Sequence, residues 1–266
     1  MKLVTWNVNS LNVRLPRVLE FIDKHRPEIL CMQETKSDPD KFPHDALRDA
    51  GYRAVDHSAG RWAGVAIAAR DDLSIAEAGS GLPGERAVDE ARWVEADVDG
   101  LRVISTYVPN GREVGSETFD DKLAFLDAMV ERAVALRGTP LVIAGDMNVT
   151  RADIDVYDPA AFAGSTHVTT DERSRFERLL DEAGLIDAYR HVNPDEVGYT
   201  WWDYRAGNFH KRLGLRIDYI LMSPDVAERL KAVGIDRDFR KGQKPSDHAP
   251  LIAYLDDGVA DRGKQV

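Results

Sequence analysis

Residues 141–148, LVIAGDMN, join four consecutive apolar residues to a glycine, a carboxylate and an amide. A short apolar run that is bounded by turn residues predicts a β-strand. Polar side chains that follow such a strand lie at the rim of the core, where a rigid scaffold can hold functional groups. This stretch therefore predicts a core strand with a functional position at its end, at Asp146 and Asn148.

Four further apolar runs have polar side chains at one end. Those side chains are Asn7 and Asn9, Gln33 and Glu34, Asp218, and Asp247 with His248. Each motif alone is typical of a turn or a helix cap, because Asp, Asn and Ser side chains hydrogen-bond nearby backbone. Five such ends in one chain instead favour a shared pocket rim. Its oxygen ligands would select Mg²⁺ or Mn²⁺, and without a nucleophilic Ser or Cys motif they predict metal-assisted hydrolysis of a phosphate ester.

The apolar pattern predicts more strands than helices. We expect strands at 3–8, 29–32, 64–68, 94–98, 103–108, 141–144, 216–222 and 249–255, and helices at 14–24, 119–136 and 173–183, the last ending at Gly184. Because the strands do not alternate strictly with helices, the pattern favours two packed sheets flanked by helices. We expect one domain over residues 1–256 and a disordered tail at 257–266.

Composition limits the class of protein. The chain has 266 residues, 43% of them hydrophobic, which is enough for a large core. Its first residues lack the apolar segment of a signal peptide, no apolar run reaches the roughly 18 residues of a membrane span, and Cys31 has no disulfide partner. We therefore expect a cytoplasmic protein, with activity at the nucleoid if its substrate is DNA.

The charge is unevenly distributed. A net charge of −11 argues against a protein that coats nucleic acid, yet residues 199–248 carry +3 and the rest carries −14. The difference suits either a local phosphate-binding face or ordinary variation in a surface loop.

Six motifs in order make the chain resemble the exonuclease III and abasic-site endonuclease family of the endonuclease/exonuclease/phosphatase superfamily. They are WNVN at 6–9, QETK at 33–36, YVPNG at 107–111, GDMNV at 145–149, LGLRIDY at 213–219 and SDHAP at 246–250. The resemblance covers nearly the whole chain. It implies a four-layered α/β-sandwich of the deoxyribonuclease I type, with two mixed sheets flanked by helices.

The resemblance also implies a metal site that uses Mg²⁺, with Mn²⁺ as a substitute. Glu34 would be the principal metal carboxylate. Asn7 and Asp247 would lie close to the ion, and Asp146 and Asn148 would complete the set.

The same resemblance implies five catalytic side chains. Asp146 would orient or deprotonate the attacking water, and Asn148 would help to hold that water and the phosphate. His248 would polarise a phosphate oxygen while Asp218 orients its imidazole, since a carboxylate partner favours the imidazolium. Tyr107 would approach the phosphate as a hydrogen-bond donor or proton source.

A segment rich in aromatic and basic residues, 199–212, is the best candidate for a DNA-facing surface, because aromatics can fill the gap of a missing base while Arg and Lys contact phosphate. We expect Trp202 to lie in the core and Trp201 to face the substrate. The full set of expected DNA contacts is Arg112, Trp201, Phe209, Lys211, Arg212, Leu215 and Arg216. Of these, Trp201, Phe209 and Leu215 would together wall the pocket for an abasic sugar.

The expected partner is double-stranded DNA, especially DNA with abasic sites or blocked 3′ ends. We expect the protein to act as a monomer and to bind no membrane. Two alternatives stay open. One is a superfamily phosphodiesterase that acts on a lipid, an inositol phosphate or RNA, although the YVPN run lacks the second His that the resemblance associates with sphingomyelinases. The other is a pseudo-enzyme that only binds DNA, although Glu34, Asp146 and His248 are all present. The sequence does not rank abasic-site incision, 3′-to-5′ exonuclease, 3′-phosphatase and ribonuclease H-like activities.

Overall fold

The computed structural model describes residues 1–256, so the tail expected at 257–266 lies outside the described residues. Its strands are β1 (Lys2–Asn7), β2 (Ile29–Gln33), β3 (Tyr52–His57), β4 (Val65–Arg70), β5 (Ile75–Ser80), β6 (Trp93–Val98), β7 (Leu101–Tyr107), β8 (Leu141–Asp146), β9 (Ile186–Asp187), β10 (Asp218–Met222), β11 (Leu230–Ile235) and β12 (Leu251–Leu255). Its α-helices are α1 (Leu11–His25), α2 (His44–Asp49), α3 (Glu117–Ala135), α4 (Thr170–Ala183), α5 (Ala188–Val192), α6 (Asn208–Lys211) and α7 (Pro224–Ala227).

The strands form two six-stranded sheets. The first has the order β11-β12-β1-β2-β4-β3 and the second has the order β5-β6-β7-β8-β10-β9. In each sheet one central pair is parallel, β1 with β2 and β7 with β8, and the other pairs are antiparallel. Both sheets are therefore mixed.

The two sheets pack face to face, and helices cover their outer faces. The inner core contains side chains of both sheets, among them Cys31, Ile67 and Val142. On the outer face of the first sheet Trp6 packs against Phe21 of α1, and on that of the second sheet Phe176 of α4 packs against Tyr219. The order helix, sheet, sheet, helix confirms the predicted four-layered α/β-sandwich.

Helices α3 and α4 begin at hydroxyl side chains that accept hydrogen bonds from their free backbone amides. The Ser116 hydroxyl accepts a hydrogen bond from the Phe119 amide at the start of α3. Thr169 and Glu172 form a reciprocal capping box at the start of α4, and Gly184 ends that helix with a φ of 70°. The predicted end of α4 at Gly184 is confirmed.

All eight predicted strands and all three predicted helices are present, with ends shifted by a few residues. The strands that the pattern missed are β3, β5, β9 and β11, and each is the edge strand of its sheet. Edge strands are partly exposed, so their sequences lack the continuous apolar runs that marked the central strands. None of the helices within residues 1–256 combines the length and the apolarity that crossing a bilayer requires.

Candidate active site

The sheet topology brings the polar strand ends to one edge of the sandwich. Because β1 and β2 are parallel and adjacent, Asn7 and Gln33 are register partners at their last residues. In the second sheet Asp146 ends β8 and faces Asp218, the first residue of antiparallel β10. The Asn7 amide Nδ2 donates to Asp146 Oδ2 at 2.9 Å and so links the two sheets at this edge.

His248 lies between two carboxylates in the interior of this site. Its Nδ1 is 2.8 Å from Asp218 Oδ2 and its Nε2 is 3.7 Å from Asp146 Oδ2. The side chains of His248, Asp218 and Asp146 are 3%, 0% and 1% exposed. The Nδ1 contact with Asp218 is within hydrogen-bond distance and orients the imidazole, and Asp146 lies beside the other ring nitrogen.

The protonation of this group follows from burial and mutual charge. Burial opposes the imidazolium, but the Asp218 and Asp146 carboxylates outweigh it and raise the pKa of His248 to about 10. Burial raises the pKa of Asp146 to about 7, with Asp218 and Glu34 adding to the rise and His248 opposing it. The site therefore contains a cationic imidazole beside a carboxylate that titrates near neutral pH.

Glu34 lies on the more open side of the same edge. Its Oε1 accepts from Asn7 Nδ2 at 2.8 Å, and its Oε2 pairs with the Lys36 ammonium at 2.8 Å. The Tyr107 hydroxyl hydrogen-bonds the same carboxylate, and burial together with Glu34 and Asp146 raises the pKa of Tyr107 well above its usual range. Tyr107 is thus held as the protonated phenol, which can donate a hydrogen bond.

A group of three side chains could hold a metal ion. One ligand atom each from Glu34, Asp146 and His248 lie within 4.8 Å of one another. The two carboxylates suit a hard cation such as Mg²⁺, whereas a cationic imidazole suits an anion beside it. The donor set therefore fits an oxygen-ligated metal next to a phosphate oxygen.

The structure places Asn7 against the metal group but with its NH₂ toward both carboxylates. Asp247 lies to one side, where its Oδ1 accepts from Asn9 Nδ2 at 2.9 Å and its Oδ2 accepts from Trp201 Nε1 at 3.0 Å. Asp247 is outside the three-residue group that could hold a metal.

Asn148 follows Asp146 with a left-handed φ of 49°. Its backbone amide donates to Asp146 Oδ1 at 2.9 Å, its Nδ2 donates to Val108 O at 3.0 Å, and its Oδ1 accepts from Asn110 at 3.2 Å. These bonds fix the loop beside Asp146.

The aromatic residues of the DNA-facing candidate segment separate into two clusters. Trp201 is half-buried against Leu215, whereas Trp202 is 1% exposed and packs on Phe209. The placement of Trp202 in the core agrees with the prediction. Phe209 belongs to the Trp202 cluster, so the expected shared wall of Trp201, Phe209 and Leu215 does not form.

The basic residues also divide by exposure. Arg112, Lys211 and Arg212 are exposed. Arg216 is fully buried, with its guanidinium paired to Asp155 at 2.8 Å and to Asp187 at 2.9 Å. The prediction that Arg216 contacts DNA is therefore wrong, because its donors are committed to buried carboxylates.

Two further residues of this edge, Lys36 and Asn110, were named only as parts of motifs. Lys36 pairs with Glu34 and donates to Asn9 Oδ1 at 2.7 Å, and Asn110 contacts Asn148. Both lie inside the motifs at 33–36 and 107–111, so those motifs already contained the signal.

Known proteins are similar to this chain in both sequence and structure. The profile of the endonuclease/exonuclease/phosphatase family matches residues 4–248. Exodeoxyribonuclease III of Haemophilus influenzae is 33% identical over 95% of this chain and 99% of its own length. A 3′ phosphatase from Neisseria bound to a product DNA hairpin superimposes with a TM-score of 0.90 at 41% identity, over 96% of this chain and 99% of that one. An AP endonuclease from Archaeoglobus fulgidus superimposes with a TM-score of 0.90 at 35% identity, over 96% and 99%.

Proposed function

This chain belongs to the endonuclease/exonuclease/phosphatase family, and we propose that it is a Mg²⁺-dependent DNA repair nuclease that cuts 5′ to abasic sites and at 3′ ends. Relatives named exodeoxyribonuclease III, AP endonuclease and 3′ phosphatase, at 33–41% identity over nearly the whole chain, support a hydrolytic nuclease. The observation that carries the proposal is the buried group of Asp218, His248 and Asp146 beside Glu34.

In this proposal Glu34 and Asp146 would hold the metal, which would supply stabilisation of the negative charge that develops on the phosphate. Asp146 accepts the proton of the attacking water, and its carboxylate form is the one that a bound cation favours. His248 donates Nε2–H to a non-bridging phosphate oxygen, and Asp218 keeps it charged and oriented.

The remaining side chains complete the displacement. The Tyr107 phenol, kept protonated by the neighbouring carboxylates, donates toward the leaving 3′ oxygen. Asn148 restrains the loop that presents Asp146. Every proton that the reaction moves then has a donor or an acceptor among these side chains.

For DNA contact we propose the exposed side chains of Arg112, Lys211 and Arg212, with Trp201 at the substrate face. Trp201 is fixed by its indole bond to Asp247, so its ring can line a sugar pocket without a large loss of side-chain freedom. We also propose that the chain acts as a monomer, because all the side chains of the proposed active site belong to one chain.

The experiment uses matched duplexes that are undamaged, carry one internal abasic site or end in a 3′ phosphate, each titrated with Mg²⁺ in the presence and absence of EDTA. We expect metal-dependent incision 5′ to the abasic site and removal of the 3′ phosphate. Sphingomyelin, an inositol phosphate and a polyadenylated RNA serve as competing substrates. Faster turnover of any of these than of the damaged duplexes would contradict the proposal, as would DNA binding without cleavage.

A further inference from the structure

A fully buried ion pair lies behind the catalytic face. Lys122 of α3 and Glu172 of α4 pair with each other, and both side chains are 0% exposed. Lys122 is one of the buried residues of α3, and the others are all apolar. A charged pair with no access to solvent calls for a physical explanation.

The Lys122 ammonium donates to three loops at once. It bonds Asn148 O at 2.7 Å, Asn110 O at 3.1 Å and Thr166 Oγ1 at 3.0 Å, in addition to the Glu172 carboxylate. Asn110 follows β7, Asn148 follows β8 and Thr166 precedes α4. One cation therefore ties together the backbone of the two loops that carry Asn110 and Asn148.

Glu172 completes the network from the other side. Its Oε1 accepts from Thr166 Oγ1 and from the His167 amide, both at 2.8 Å. Its Oε2 accepts from the Thr169 amide at 3.0 Å and from the Thr169 hydroxyl at 2.6 Å. The loop before α4 is thus held by the same carboxylate that neutralises Lys122.

Stability alone does not explain such a pair. Desolvation of two buried charges commonly offsets their attraction, and apolar replacements of similar volume are often neutral or stabilising. Burial lowers the pKa of Lys122, and the Glu172 carboxylate opposes that change. What the pair does provide is fixed geometry at Asn148, which has a left-handed φ. The Asn148 side-chain Oδ1 accepts from Asn110, and its backbone amide donates to Asp146.

We infer that Lys122 and Glu172 are positioning residues, which lock the Asn110 and Asn148 loops so that Asp146 meets the attacking water in the geometry of reaction. The inference rests on the proposed function of the site. Neither side chain reaches the substrate, since both are buried behind these loops. Loss of the lock should therefore slow the chemical step and leave DNA affinity in place.

The test is the double variant Lys122→Met/Glu172→Gln, which removes both charges and leaves neither buried alone. We expect a folded protein with unchanged DNA affinity and a kcat lower by about 10- to 100-fold, since small misplacements of reacting groups have effects of that size. Arg132→Met is the matched control, because it removes a cation of the same helix that pairs with Glu95 and touches none of these loops. A folded double variant with the kcat of the wild type would overturn the inference.

A second variant serves if the double variant does not fold. Thr166→Val removes one acceptor of Lys122 without changing any buried charge. We expect faster amide hydrogen exchange at residues 147–150 together with a lower kcat and an unchanged KM. Faster exchange with an unchanged kcat would contradict the inference. The proposed function is judged on the wild type alone, by its metal-dependent cleavage of damaged duplexes against the competing substrates, so the two failures are distinguishable.

Discussion

The two halves of the candidate active site differ in their access to solvent. The Glu34 half is partly open, with 16% of the Glu34 side chain exposed and the Lys36 ammonium against it. The half formed by Asp146, Asp218 and His248 is at most 3% exposed. A partly exposed carboxylate paired with an ammonium can exchange that partner for a metal ion from solution. In the closed group, little water screens the charges, so the carboxylates act more strongly on the imidazolium between them.

The largest effect should come from breaking the closed half. We expect His248→Asn to lower kcat by roughly 10²–10⁴-fold, because it removes a cation from the phosphate oxygens, with little change in DNA affinity. Asp218→Asn should be milder, since the imidazole remains. Single-turnover rates of the two variants and of the double variant measure this, and the double loss should be smaller than the product of the single losses. A stability loss without a loss of kcat at low temperature would instead make His248 a structural turn residue.

The pH dependence sharpens the same contrast. Activity should rise as Asp146 ionises through about pH 7, and it should fall as His248 loses its proton through about pH 10. A bound cation near Asp146 favours the carboxylate, so higher Mg²⁺ should move the acidic limb to lower pH. In Asp218→Asn the basic limb should move to lower pH, because His248 loses the charge that raises its pKa. Profiles of kcat/KM at two Mg²⁺ concentrations, for the wild type and for Asp218→Asn, test both shifts. An acidic limb that does not move with Mg²⁺ would show that Asp146 does not bind the metal.

The smallest effect concerns the two arginines at either end of the segment 212–216. Arg212 is exposed, so Arg212→Ala should weaken DNA binding and make the slope of log affinity against log salt shallower by about 1. Arg216→Met removes a buried cation and should lower stability while leaving that slope unchanged. Fluorescence anisotropy over a salt series distinguishes them. An unchanged slope in Arg212→Ala would mean that DNA approaches by another face.

Much of this arrangement could be predicted from the sequence, for reasons visible in particular residues. Apolar runs marked β1, β2 and β8 because these strands are central and buried, and the polar residues that end them therefore fell at one edge. The pairing of Asp218 with His248 followed from the family resemblance. Edge strands such as β3 were not predicted, because their partial exposure leaves them with polar and small residues.

Partners of long charged side chains could not be predicted. Arg216 and Arg212 are similar in sequence context, yet one is enclosed by Asp155 and Asp187 and the other is exposed. Lys122 lies on the otherwise apolar buried face of α3, and its acceptors lie 12 to 50 residues away along the chain. Such pairings depend on how separate elements meet, which local periodicity does not contain.

The division of labour between the two halves is tested most directly by a Mg²⁺ titration of single-turnover cleavage in Glu34→Gln and Asp146→Asn. For Glu34→Gln we expect the Mg²⁺ concentration at half-maximal rate to rise by at least about tenfold, the lower end of the losses known for residues that support a metal site, with the rate largely recovered at saturation. For Asp146→Asn we expect a plateau lower by about 10²–10⁴-fold that no Mg²⁺ concentration restores. A Glu34→Gln enzyme with an unchanged Mg²⁺ midpoint, or an Asp146→Asn enzyme rescued by Mg²⁺, would contradict the account.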